Sequence, residues 1–403
     1  MSSISALIRK MLSFALLAST LASCQAALHP APEETEPATE TPEPTLGESL
    51  SSEATPTLGQ AATVQDSSEA RPSKLASPVQ SLRLEDQSVD SVILADRYVL
   101  WTGYPGDLYR YSFEDGTIDT IAVSNFANGY LDPYEATNQG DWVVFRDTPR
   151  SGQEATWKLR AVNVTDRREK LLMEESDPAS WPGPFVDVDG NRVVWSLTKA
   201  SATAGCVETI IQLYDLAHDS LSDIARSCVE DRYMWIFPHL SGNHLVVERD
   251  LPDSKSRGND VFLFDLQSTE PVSLTENGKS SMPVIWYPWV AWKDGPRFSY
   301  ARTTVQNLET GERFTIAGSL KGQDRLEPNM AGKWIYWMPA ALQPFYVYDL
   351  EKRQMFIVAE PGENETIQPV TVFGNRVAWA KNLDFEHSGP HAWLIEWRDL
   401  PPE

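Results

Sequence analysis

The chain has 403 residues and a formal net charge of −23. With no Lys/Arg cluster to neutralise phosphates, that balance excludes an ordinary nucleic-acid binder and disfavours direct contact with anionic membrane surfaces. Cationic groups, sugars and peptides stay open as partners, and 14 Trp, 13 Tyr and 14 Phe suit a β-rich fold.

Residues 1–23 read as a secretory signal. Arg9 and Lys10 form the charged region, and Met11 to Thr20 form an apolar core. That core is too short for a spanning helix, which needs about 20 apolar residues. Leu21-Ala22-Ser23-Cys24 follows. The whole local pattern resembles the lipobox of bacterial lipoproteins. The resemblance implies a diacylglycerol on Cys24, cleavage just before it, and anchoring to the outer face of a bacterial membrane or to the cell surface. Acyl chains of this kind hold a protein at a membrane stably when two or more act together.

Residues 24–78 are rich in Pro, Glu, Thr and Ser, as in Pro30-Ala31-Pro32-Glu33-Glu34-Thr35. Such a segment buries too little apolar surface to offset its ordering entropy, and its prolines and like charges favour extension. It is expected to be a disordered tether between the anchor and a folded unit at residues 79–403.

From about residue 79 short apolar runs alternate with turn residues, and one pattern recurs at a spacing of roughly 45 residues, the length of a propeller blade. Gly190-Asn191-Arg192-Val193-Val194-Trp195 and Gly374-Asn375-Arg376-Val377-Ala378-Trp379 are the clearest copies. Others end at Trp101, Phe145, Val247, Trp292 and Trp337. A proline precedes most copies: Pro133, Pro184, Pro238, Pro283, Pro328 and Pro369, with Asp90 in that place in the first. Proline suits the first residue of a strand, where no ladder donor is required. An Asp-Leu pair follows in four copies, at Asp215-Leu216, Asp265-Leu266, Asp349-Leu350 and Asp399-Leu400. Ser112-Phe113, Asn163-Val164 and Asn307-Leu308 replace it in the others. Short polar side chains there can bond the backbone two residues on and close a hairpin.

These marks predict an all-β fold: a seven-bladed β-propeller of four-stranded blades, preceded by the signal peptide and the linker. Within each blade, strand A runs to the Gly turn, B is the Val-Val-Trp run, C ends at Asp-Leu and D is outermost. The last copy stops at Glu403 without a strand D. The segment Pro78 to Leu84 has the missing pattern and is expected to complete blade seven, closing the ring and protecting its edges. The repeat as a whole resembles the TolB-type β-propeller over residues 79–403. It departs from TolB in its long tether and in lacking a separate N-terminal α/β domain, so the partners of TolB are not carried over.

The chemical candidates are few. Cys206 and Cys228 fall in one blade of an exported chain and are expected to pair, since Cys24 carries the lipid. Glu386, His387 and His391 with Asp384 are metal-ligand types, but Ser388-Gly389-Pro390 between the histidines reads as an exposed turn. Oligogalacturonate lyases combine a propeller with a histidine-rich metal site, and no such set is evident. Asp187-Val188-Asp189-Gly190 opens like a calcium loop, yet it coincides with the repeated A–B turn and has no downstream bidentate Glu. No nucleophile elbow, zinc helix motif or phosphate loop is found. No catalytic residue, metal or cofactor is therefore assigned.

The D–A and B–C loops of a propeller emerge on one face. The D–A segments differ between blades and carry aromatic and charged residues. Tyr130, Trp181, Trp235 and Arg325 are expected to form a ligand-binding rim there, because aromatic and Arg side chains supply hot-spot area and bind cations or sugars. The alternative for the tryptophans is packing between blades. The functional expectation is a displayed binding or scaffold module of the cell envelope for a protein, peptide or glycan. The alternative is a carbohydrate-active hydrolase or lyase, whose carboxylate pair would be invisible in sequence.

Overall fold

The computed structural model describes residues 65–66, 72–85, 88–103, 106–126, 129–133, 141–149, 156–175, 185–200, 206–228, 234–250, 259–268, 270–295, 302–316, 327–338, 342–383 and 392–402. Cys24, Trp181, Arg325 and the 384–391 segment lie outside them.

Three strands precede the repeats: β1 (Gln65–Asp66), β2 (Ser73–Lys74) and β3 (Gln80–Leu84). Blade one comprises β4 (Ser91–Ala95), β5 (Tyr98–Thr102), β6 (Leu108–Ser112) and β7 (Ile118–Ala122). Blade two comprises β8 (Tyr130–Pro133), β9 (Trp142–Thr148), β10 (Trp157–Asn163) and β11 (Glu169–Glu175). Blade three comprises β12 (Phe185–Asp189), β13 (Arg192–Ala200), β14 (Val207–Asp215) and β15 (Ser220–Cys228). Blade four comprises β16 (Met234–Ser241), β17 (His244–Asp250), β18 (Asn259–Asp265) and β19 (Val272–Ser273). Blade five comprises β20 (Ser280–Trp286), β21 (Trp289–Asp294), β22 (Arg302–Asn307) and β23 (Arg313–Ile316). Blade six comprises β24 (Pro328–Ala331), β25 (Trp334–Trp337), β26 (Phe345–Asp349) and β27 (Gln354–Ala359). Blade seven comprises β28 (Thr366–Phe373), β29 (Arg376–Asn382) and β30 (Trp393–Asp399). Its outer strand is β3, antiparallel to β30 with Gln80 opposite Trp397 and Leu84 opposite Trp393. The protein is thus a seven-bladed propeller closed by its own N-terminal strand.

Two of the repeated marks, the Gly turn and the Asx pair, form one hydrogen-bonded unit. The turn glycines Gly190, Gly242, Gly332 and Gly374 have φ between 54° and 61°, the left-handed region that favours glycine. The Asx side chain closes the C–D hairpin: Asp215 Oδ1 accepts from the backbone of Ala217 and His218, and Asp349 Oδ1 from Glu351 and Lys352. Asn163 and Asn307 do the same. The following residue then ties that hairpin to the A–B turn. Leu216 N donates to Asn191 O at 2.7 Å, Leu350 N to Lys333 O at 2.9 Å and Leu400 N to Asn375 O at 2.7 Å. Phe113, Val164, Leu266 and Leu308 make the corresponding bond in the remaining blades.

The prolines behave differently from the expectation of a strand start. Pro328 does open β24, whereas Pro133 closes β8, and Pro238, Pro283 and Pro369 lie inside the innermost strands. Ladder register shifts at each of the last three, between Ile236 and His239, Ser281 and Val284, and Ile367 and Val370. A residue without an N–H is tolerated at such a bulge because the ladder is already interrupted there.

The core lies between blades, one apolar cluster at each of the seven junctions. Trp101, Trp195, Trp292, Trp379 and Phe145 are buried in them. Each such indole removes about 200 Å² from water, which at about 25 cal/mol per Å² stabilises the ring by up to about 5 kcal/mol.

Two pieces of the segment read as tether also pair with the propeller. β1 adds in parallel outside β23 of blade five, with Gln65 opposite Phe314, and β2 adds in parallel outside β27 of blade six, with Ser73 opposite Phe356. Leu75 packs on the blade six–seven cluster.

Candidate functional site

The loop-bearing end of the ring is held by buried carboxylates. Asp147, at the end of β9, accepts from Ser124 Oγ, Asn125 N and Arg160 Nη1, which fixes the connection from blade one into blade two. The Asp147–Arg160 pair is 2.7 Å apart and buried on both sides. Glu248 Oε2 accepts from Met282 N, so a carboxylate of blade four pins the bulge of blade five. Asp260 Oδ1 accepts from Thr275 Oγ1 and Gly278 N. These groups have their hydrogen bonds made within the scaffold, which is the role a buried carboxylate needs to be stable.

The calcium-like run is also structural. Asp187 Oδ2 accepts from Leu240 N at 2.7 Å, and Asp189 Oδ2 from Gly242 N and Arg192 Nη2. Asp187 ties blade three to the innermost strand of blade four, and Asp189 ties it to the A–B turn of that blade.

Of the expected rim residues, Tyr130 stands at the loop end of β8 and is 38 % exposed. Trp235 is a correction. It is 6 % exposed in the blade three–four cluster, edge-on to Phe262 and Phe264 at 5.4 and 5.5 Å. Its face of β16 is covered by the neighbouring blade, so it serves the scaffold and offers no ring to a ligand. Trp181 and Arg325 lie outside the described residues. Cys206 and Cys228 form the expected disulfide.

The structure instead brings together a column on two adjacent innermost strands, which bound the central channel. Phe185 of β12 and Phe237 of β16 are half-buried, with ring centroids 4.1 Å apart. Two residues further along each strand, Asp187 Oδ2 lies 3.6 Å from His239 Nδ1, with the imidazole 31 % exposed. In blade two, Asp132 and Arg146 form a 2.8 Å ion pair. An aromatic pair beside a carboxylate and an imidazole can pack a flat or sugar-like face and accept or donate hydrogen bonds. None of the sequence marks singles these residues out, although a signal exists. Phe185 and Asp187 stand in the same register to Gly190 as Phe237 and His239 do to Gly242, so aligning the repeats places them side by side.

No family model matches the chain, and no curated protein does. Solved structures do. A prolyl endopeptidase aligns with TM-score 0.53 and 13 % identity, over 79 % of this chain and 50 % of its own; this chain therefore spans about half the length of that relative. An oligogalacturonate lyase from Vibrio parahaemolyticus aligns with TM-score 0.51 and 10 % identity, over 82 % of this chain and 99 % of its own. TolB from Acinetobacter baumannii is also a neighbour, at TM-score 0.39 and 11 % identity over 74 % of this chain and 62 % of its own. At such identities the likeness concerns the scaffold alone, and propellers host binding and catalysis alike. What the comparisons and the strand topology jointly establish is a seven-bladed β-propeller of four-stranded blades.

Proposed function

We propose that this chain is a binding or scaffold module of the cell envelope, anchored by lipid on Cys24 and presenting the loop-bearing face to a protein, peptide or glycan. The observation that carries this reading is the partly exposed Phe185–Phe237 pair beside Asp187 and His239, on the adjacent innermost strands of blades three and four. Both rings keep part of their surface open although they pair across the blade three–four junction, and Tyr130 adds an exposed ring at the loop end of β8. The net charge of −23 favours a ligand with cationic or neutral polar groups.

The test is a ligand screen with the purified chain, by envelope-extract pull-down and glycan array, followed by Phe237→Ala and His239→Ala. Both variants should lose binding about tenfold or more while melting close to the parent. Binding unchanged in both variants places the working surface elsewhere. Cleavage of a bound glycan would replace this reading with that of a carbohydrate-active enzyme.

A further inference from the structure

The disulfide of blade three has an unusual neighbour. Glu208, the second residue of β14, is 5 % exposed and lies directly across from Cys228 of β15. Cys206 stands two residues before it. The two sulfurs and a Glu208 carboxylate oxygen all lie within 4.8 Å of one another. Arg226 fixes the carboxylate from one side, its Nη1 donating to Glu208 Oε2 at 2.6 Å while Nη2 donates to Asp223 at 2.5 Å. A neutral disulfide gains nothing from a buried carboxylate at its side, because it has no proton to donate and no charge to offset. A pair of thiolates sharing a cation does gain from it.

We propose that on reduction Cys206, Cys228 and Glu208 bind one thiophilic divalent cation of the zinc type. The metal then replaces the covalent bond as the tie between the end of the outer strand and the head of β14. The divalent ion offsets the two thiolates, and the Arg226 guanidinium, which Asp223 shares, partly offsets the Glu208 carboxylate. Sulfur and carboxylate oxygen are both zinc ligands, and three protein ligands leave a fourth position for water.

The switch requires a two-electron reductant, for which a dithiol serves. One thiolate of the reductant attacks one protein sulfur and forms a mixed disulfide, and the second displaces the protein sulfur from it. The reductant leaves as a disulfide, having passed two electrons and two protons to Cys206 and Cys228. Metal binding releases those two protons as the thiolates coordinate.

The experiment uses the full chain carrying Cys24→Ser, so that only the blade-three thiols remain. The protein is reduced with a phosphine, freed of reductant without air, and titrated with cadmium as a spectroscopic probe and zinc as competitor. One cadmium per chain is expected, with a thiolate charge-transfer band that zinc abolishes. The unreduced protein shows no band, Cys206→Ser loses it, and Glu208→Gln binds at least about tenfold more weakly. Circular dichroism followed in parallel should show the metal-loaded reduced chain as folded as the oxidised one. An absent band, a band unchanged in Glu208→Gln, or a reduced chain that stays unfolded with metal present would each overturn the proposal.

Discussion

Arg398 Nη2 donates to the carbonyl of Leu75 at 2.9 Å, across 323 residues of sequence. The same guanidinium donates to Val358 O at 3.1 Å, to Ser77 Oγ at 3.1 Å and to Ser77 O. Ser77 Oγ in turn donates to Asp399 O at 2.5 Å. One planar side chain therefore clamps the N-terminal segment to blades six and seven together. Burial holds its pKa below the ordinary arginine value, which marks the desolvation these bonds must offset.

Replacing Arg398 by Ala should destabilise the propeller by about 3 kcal/mol, the loss of several charge-assisted bonds partly made good by water. Arg398→Lys should recover little of it, because a single ammonium cannot span three carbonyls and a hydroxyl as the planar guanidinium fork does. Urea unfolding measures both, and an Ala variant as stable as the parent would show the clamp to be ornamental.

Serial truncation separates the roles of the N-terminal pieces. Removing residues 1–60 should leave melting unchanged, since the compact unit begins at Ala61. Removing residues up to 78 uncovers the outer edges of blades five and six and should lower the midpoint. Removing β3 as well exposes β30 and separates Leu84 from the blade seven–one cluster, and that chain should aggregate.

The Cys206–Cys228 bond closes a separation of 22 residues. In the chain-entropy picture it stabilises the oxidised fold by about 3 kcal/mol. Cys228→Ser should lose that amount in denaturant titrations. Thiol labelling of the denatured, unreduced parent should find neither residue reactive.

The C–D turn of blade three should add acid sensitivity. The His218 side chain first, and then the backbone N–H groups of His218 and Ala217, hold Asp215 below its ordinary value of 3.8. A carboxyl depressed in the folded state contributes stability above its unfolded value and loses it as pH falls through the folded one. Asp215→Ala should therefore be less stable than the parent from neutral pH down to about 4, and the difference should shrink below that. A difference independent of pH would assign the effect to packing.

The proposed anchor has its own test. Cys24→Ala should release the protein from membranes into the soluble fraction, and metabolic labelling with a fatty-acid analogue should mark only the parent. A variant that still sediments with membranes would place the attachment elsewhere.

The repeated turn, the Asx-closed hairpin and the β-strand periodicity are local features, set within a few residues of chain by left-handed glycine, side-chain-to-backbone bonds and alternating side chains. That is why seven blades and the closing strand β3 are legible in the residues themselves. Even the missing partner of β30 follows from counting strands, because an unpaired edge must be covered. Exposure is not legible in the same way. Both faces of every blade pack on a neighbour, so Trp235 and Phe237, two positions apart, follow the same pattern; only the adjacent blade decides that Trp235 is covered and that Phe237 meets Phe185. The bulge at Pro283 answers to the same cause, since Glu248 of blade four holds the bulged backbone of blade five at Met282. The pairing of Ser73–Lys74 with β27, in a stretch whose composition reads as tether, depends on Arg398 arriving from the far end of the chain. Sequence determined what each blade is, through interactions short enough to be local; ring closure decided which side chains meet, because every one of those contacts joins residues that the chain alone keeps far apart.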